Sequence, residues 1–177
     1  VKPDLLMHIY LDEWLMHIYL DECSLHVRVL VEALDEAQKW LPFSASAVQN
    51  MTKEQLRVLD QMAYRFTKLQ DTMGQKILPA ILDLAQEPIV PDATFAEKLN
   101  WLERMGALPS AEEWKKLRVA RNAIAHEYPD DHELRASAIN CFFDGAMQLN
   151  ALYEFVRAYL LEHFPSVGNS SERTQNI

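Results

Sequence analysis

The chain has 177 residues, 49% of them hydrophobic, and a formal net charge of -9, which suits one domain with a substantial core and is short for two. This acidity excludes nucleic-acid binding by bulk charge, since phosphate neutralisation supplies most non-specific affinity, so any RNA or DNA site must be locally basic. Four glycines, no glycine-rich phosphate loop and two distant cysteines, Cys23 and Cys141, argue against nucleotide cradles, disulfide scaffolds and cysteine zinc sites and fit a reducing, cytoplasmic setting.

The chain opens with a repeat. LMHIYLDEW, Leu6 to Trp14, is followed at once by LMHIYLDEC, Leu15 to Cys23. A shift of nine residues is about two and a half helical turns, so the copies face opposite sides and His8 and His17 cannot converge on one face. Residues 1–23 read as a duplicated extension of the first helix. Asp12, Glu13, Asp21 and Glu22 interrupt the apolar run, so neither a secretory leader nor a membrane span is expected.

Helical spacing continues from Ser24 to Trp40, with Leu25, Val29, Ala33 and Ala37 as one stripe and Leu30, Leu34 and Leu41 beside it. Residues 42–50 read as a loop. Thr52 with Gln55, Thr94 with Glu97 and Ser110 with Glu113 each have the spacing of a capping box. Gly74 and Pro79 should kink or divide the segment Lys53 to Gln86, and residues 87–93 should connect it to the next helix. Gly106 suits the left-handed residue after a helix.

Asp130 or Asp131 is expected to cap a last helix from about His132 to His163. Its apolar contacts should be Ile139, Phe142, Phe143, Met147, Leu149, Leu152, Phe155, Val156 and Tyr159. Residues 165–177 have the composition of a flexible tail. No period-two segment stands out. The expected fold is all-α: a four- to five-helix up-and-down bundle over residues 24–164 with an extended N-terminal helix.

Chemistry concentrates in EEWKKLRVARNAIAHEY. Trp114, Leu117, Val119 or Ala120, and Ile124 can face the core, while Lys115, Lys116, Arg118 and Arg121 gather positive charge. Asn122 and His126 are four apart and share a face, so Asn122 can orient the imidazole. Arg121 and Tyr128 are seven apart and nearly in line. Arg121 and His126, five apart, point about 140° away from each other on a regular helix. They meet on one ligand only if the helix end, at Pro129, deforms or a two-fold partner brings a second copy.

An RNA phosphodiester would suit these groups. Its own 2′-OH can attack the adjacent phosphorus without a metal. A histidine moves protons near neutral pH, and an arginine braces the phosphate as charge develops. The plainer alternative is a histidine favoured by a helix C-terminus beneath a surface of arginines. In RFTKLQD, Arg65, Lys68 and Asp71 recur every three residues. They form either a second wall of a cleft, with Lys68 on phosphate and Asp71 pairing with Arg121 or His126, or a solvated face with local ion pairs.

The run Arg121-Asn122-Ala123-Ile124-Ala125-His126-Glu127-Tyr128 resembles the R-x-x-x-x-H-x-Y signature of HepT-like toxins of the HEPN superfamily. The resemblance spans about Thr52 to Phe164; the N-terminal duplication lies outside it. It implies a HEPN-like helical bundle that forms a homodimer and cuts RNA at a shared cleft, with no metal and no cofactor. Arg121, Asn122 and His126 would be catalytic; the local charge, not the resemblance, adds Lys115, Arg118, Arg65 and Lys68 as candidate RNA contacts. The implied partner is an MNT-type nucleotidyltransferase antitoxin that transfers AMP to Tyr128. The alternative within the same family is a non-catalytic subunit of a nucleotidyltransferase complex that binds a nucleotide or partner protein in that cleft.

Overall fold

The computed structural model describes residues 3–90, 92–125 and 130–168. Every regular element among them is helical, so the fold is all-α. The order is α1 (Pro3–Ala37), α2 (Ala45–Gln49), α3 (Lys53–Thr72), α4 (Leu78–Leu84), α5 (Phe95–Arg104), α6 (Ala111–Ala125) and α7 (His132–His163). The extended first helix is present and takes in both copies of the repeat. No helix among the described residues is long and apolar enough to cross a membrane. The chain forms two compact units, one drawn from residues up to 24, 71–111 and 152 onwards, the other from 25–70 and 112–151.

In the first unit the expected division near Gly74 and Pro79 takes a specific form. Met73–Ile77 is a π-helical segment, and the Leu78 N–H donates to the Met73 carbonyl five residues back. Proline has no N–H and crowds the carbonyl four residues earlier; the widened turn just before Pro79 accommodates both defects. α5 starts on the capping box of Thr94 and Glu97. It ends with Gly106 at φ +80°, where Ala107 N–H reaches the Leu102 carbonyl at 2.9 Å and Gly106 N–H the Glu103 carbonyl at 3.1 Å. That paired closure is why a left-handed glycine ends the helix.

Polar contacts fasten the rest of this unit. Thr72 and Lys76 donate to the Glu22 carboxylate at 2.9 and 2.8 Å. Trp101 Nε1 donates to Glu87 at 2.7 Å. Residues 165–168 depart from the expected tail: Pro165–Val167 is a 3-10 turn with Val167 buried. The Ser166 hydroxyl donates to Glu13 at 2.6 Å, and His17 Nδ1 lies 3.2 Å from the Val167 carbonyl. One buried valine and two hydrogen bonds hold a segment whose composition alone suggests disorder. Residues 169–177 lie outside the described residues.

The second unit shows where reading apolar letters goes astray. Within 42–50, expected as loop, α2 forms because the Ser44 hydroxyl accepts from Ala47 N–H at 3.1 Å and Val48 is buried. The buried stripe of α1 here runs Val27, Leu30, Ala33, Leu34 and Ala37, whereas Leu25 is exposed and Val29 half-exposed. On α7 the spacing of three and four selects Ala136, Ile139, Phe142, Phe143, Ala146 and Leu149. Met147, and in the first unit Phe155, sit a step off that stripe and are exposed. Tyr159 is half-exposed.

Several expected features of this unit are present. Thr52 and Gln55 exchange hydrogen bonds at 2.9 and 3.1 Å. Of the two candidate caps for α7, Asp131 is used: its carboxylate accepts from Leu134 N–H at 2.9 Å. Phe66 and Phe142 pack edge to face at 5.2 Å between ring centres, joining α3 to α7. Asn140 of α7 both donates to and accepts from the Phe43 backbone, at 3.0 and 2.9 Å.

Candidate functional site

The candidate residues on α6 are positioned by its amphipathic division. Trp114, Leu117 and Ala120 are buried, which decides between Val119 and Ala120: Val119 is exposed and Ile124 half-exposed. Against α7 the packing is tight. A side-chain methyl at Gly145 would overlap the Cβ of Ala120, so the two backbones approach at that point with no room for a second methyl.

Lys115, Arg118 and Asn122 then fall three and four residues apart, along one face, and all three are exposed. Lys115 pairs loosely with Glu112 at 3.7 Å. Arg121 follows Ala120 in the last turn and is half-buried. His126, Tyr128 and the helix stop at Pro129 lie outside the described residues.

Arg65 and Lys68 are placed together on α3, but around an aromatic ring. Arg65 lies 5.4 Å and Lys68 5.7 Å from the centre of Tyr64, the geometry of cation–π contacts. Arg65 also hydrogen-bonds His26 Nδ1 at 3.1 Å, and His26 is buried. An arginine has no acceptor, so Arg65 donates and Nδ1 accepts. Arg65 therefore serves a structural contact as well as any ligand, whereas Lys68 is exposed. Asp71, half-buried, belongs to the first unit and Arg121 to the second.

Sequence reading missed His26 and Tyr64. Tyr64 carried a local signal, four residues before Lys68 on one face. His26 carried none, since its partner is 39 residues away.

The buried cysteine is poorly suited to chemistry. Burial, aided by the neighbouring Glu22 carboxylate, pushes the Cys23 thiol up to about 12, and thiolate is the reactive form. Cys141 is exposed. The paired His8/His17 arrangement does not form: His8 is exposed, while His17 faces the Val167 carbonyl and Asp21, the latter at 3.3 Å. No group of three or more His, Cys, Asp or Glu among the described residues could hold a metal ion. A cavity of about 680 Å³ lies in the first unit, lined by Ile89, Val90, Trp101 and Arg104.

No protein-family model matches the chain, and neither does any curated protein or solved structure.

Proposed function

We propose that this chain is a HepT-like cytoplasmic toxin of the HEPN superfamily, a metal-independent endoribonuclease that acts as a homodimer. The observation that carries the reading is local: on a chain of net charge -9, Lys115, Arg118 and Asn122 form an exposed face of α6 leading directly into R-N-A-I-A-H-E-Y.

In this reading the RNA 2′-hydroxyl oxygen attacks the adjacent phosphorus. Its proton passes to a base, the bond to the 5′-oxygen breaks, and the departing oxygen takes up a proton. The products are a cyclic phosphate end and a 5′-hydroxyl end. His126 moves the protons, Arg121 braces the phosphate, and Asn122 orients the imidazole. Lys115, Arg118 and Lys68 hold flanking phosphates, with Arg65 behind Lys68. An MNT-type nucleotidyltransferase antitoxin transfers AMP from ATP to Tyr128: the hydroxyl oxygen loses its proton and bonds to the α-phosphorus, pyrophosphate leaves, and the bulky anionic adduct closes the site.

The net charge of -9 favours a second reading, a non-catalytic subunit that binds a nucleotide or partner protein with the same residues. Incubating the purified chain with end-labelled RNA in excess chelator separates the two. Cleavage that is lost in His126→Ala is expected. No cleavage by the native chain, or equal cleavage by both proteins, removes the catalytic assignment.

A further inference from the structure

The repeat puts identical letters in opposite surroundings. In the second copy Met16, Leu20 and Cys23 are buried; in the first, their counterparts Met7, Leu11 and Trp14 are 68%, 49% and 56% exposed. Ile18, 39% exposed, continues the outer row. α1 thus carries one apolar stripe inward and a second on its opposite side, as the half-turn offset requires.

The outer stripe has steps of four, three and four residues. This is the alternation of a two-helix seam. The spacing reads the same from either end, the symmetry an isologous pair requires. An antiparallel copy would set Met7 against Ile18 and Leu11 against Trp14. The positions flanking the seam are His8, Tyr10, Leu15 and His17, and Asp4 and Asp21, one step beyond Met7 and Ile18, bound it at either end. Glu13, a step further round, is turned to its own chain by the Ser166 hydroxyl at 2.6 Å.

The exposed fractions of these four side chains, with Tyr10 at the edge, amount to roughly 550 Å² per copy. A pair that covered all of it would bury about 1,100 Å², at the lower edge of what a specific interface needs. The nearby Asp12, Glu13, Asp21 and Glu22 on an acidic chain disfavour an anionic membrane as the occupant.

We propose that the outer stripe of α1, formed by Met7, Leu11, Trp14 and Ile18, pairs antiparallel with the same stripe of a second copy of this chain. The pairing does not rest on the ribonuclease reading and uses none of its residues. Sedimentation equilibrium of the full chain should show dimers in the micromolar range. Leu11→Glu and Trp14→Glu, both at exposed positions, should each raise the dissociation constant about 100-fold without changing the circular dichroism.

Orientation is tested in a Cys141→Ser background. Met7→Cys and Ile18→Cys chains should each resist oxidative cross-linking alone and form a disulfide dimer when mixed. A native chain that stays monomeric at about 1 mM overturns the proposal. So do an association state left unchanged by both glutamate substitutions, cross-linking of either cysteine variant alone, or a monomer that instead binds phosphatidylglycerol vesicles through Trp14.

Discussion

Gly145 of α7 faces Ala120 of α6 so closely that a methyl on the glycine would overlap the methyl of the alanine. Arg121 is the next residue on α6, so this contact lies beside the candidate site. Gly145→Ala should destabilise the chain by about 1–3 kcal/mol through overpacking. Adding Ala120→Gly should restore part of that loss, because the two sites then share one methyl. Urea unfolding of the single and double variants measures the coupling, and additive losses would show that the contact is not the cause.

The two basic residues of α3 should separate in their effects. Arg65→Ala leaves the buried Nδ1 of His26 without this donor, a cost of about 1–3 kcal/mol. Lys68→Ala removes an exposed charge and should stay within about 0.5 kcal/mol of the native chain. Denaturant midpoints decide it; equal losses would show that the hydrogen bond to His26 adds nothing.

If the exposed face of α6 holds RNA, its charges appear in the salt dependence. Lys115→Ala and Arg118→Ala should each flatten the slope of log affinity against log salt by about 0.7 for single-stranded RNA. Val119→Ala, exposed on the same helix but neutral, should leave the slope alone. Fluorescence anisotropy across a salt series gives all three slopes.

The start of α5 should titrate in acid. A hydrogen bond from the Thr94 hydroxyl, with a second from its backbone N–H, holds the Glu97 carboxyl below its usual range. A depressed folded value means that the contribution is complete above the unfolded glutamate value of about 4.3 and is lost as pH falls through the folded value. Carboxyl NMR should place the Glu97 midpoint below that of a free glutamate. Thr94→Ala should move it back, and Glu97→Gln should remove this part of the acid limb.

Features set by neighbours in sequence could be read from the letters. Thr52, Thr94, Asp131 and Gly106 act within one turn of themselves, and their hydrogen bonds appear as spacing implies. The offset of the repeat also follows from helix geometry, which is why Met7 and Met16 differ so completely in exposure. Features set by distant neighbours could not be read. Met147 and Phe155 are apolar, but α7 turns them away from its buried stripe. Val48 gains its role from burial, and His26 from an arginine on another helix. For the candidate site, the sequence gathered the charge of Lys115, Lys116, Arg118 and Arg121, but that Lys115, Arg118 and Asn122 are exposed along one face and that Arg65 is tied to Tyr64 and His26 came from the structure.

The contrast between the two cysteines has a practical consequence. The chain has only two; one is buried with its thiol held protonated, and the other is exposed on α7. A maleimide dye or nitroxide added to the native protein should therefore attach at Cys141 alone, giving a ready-made reporter beside Phe142 with no engineering of the sequence.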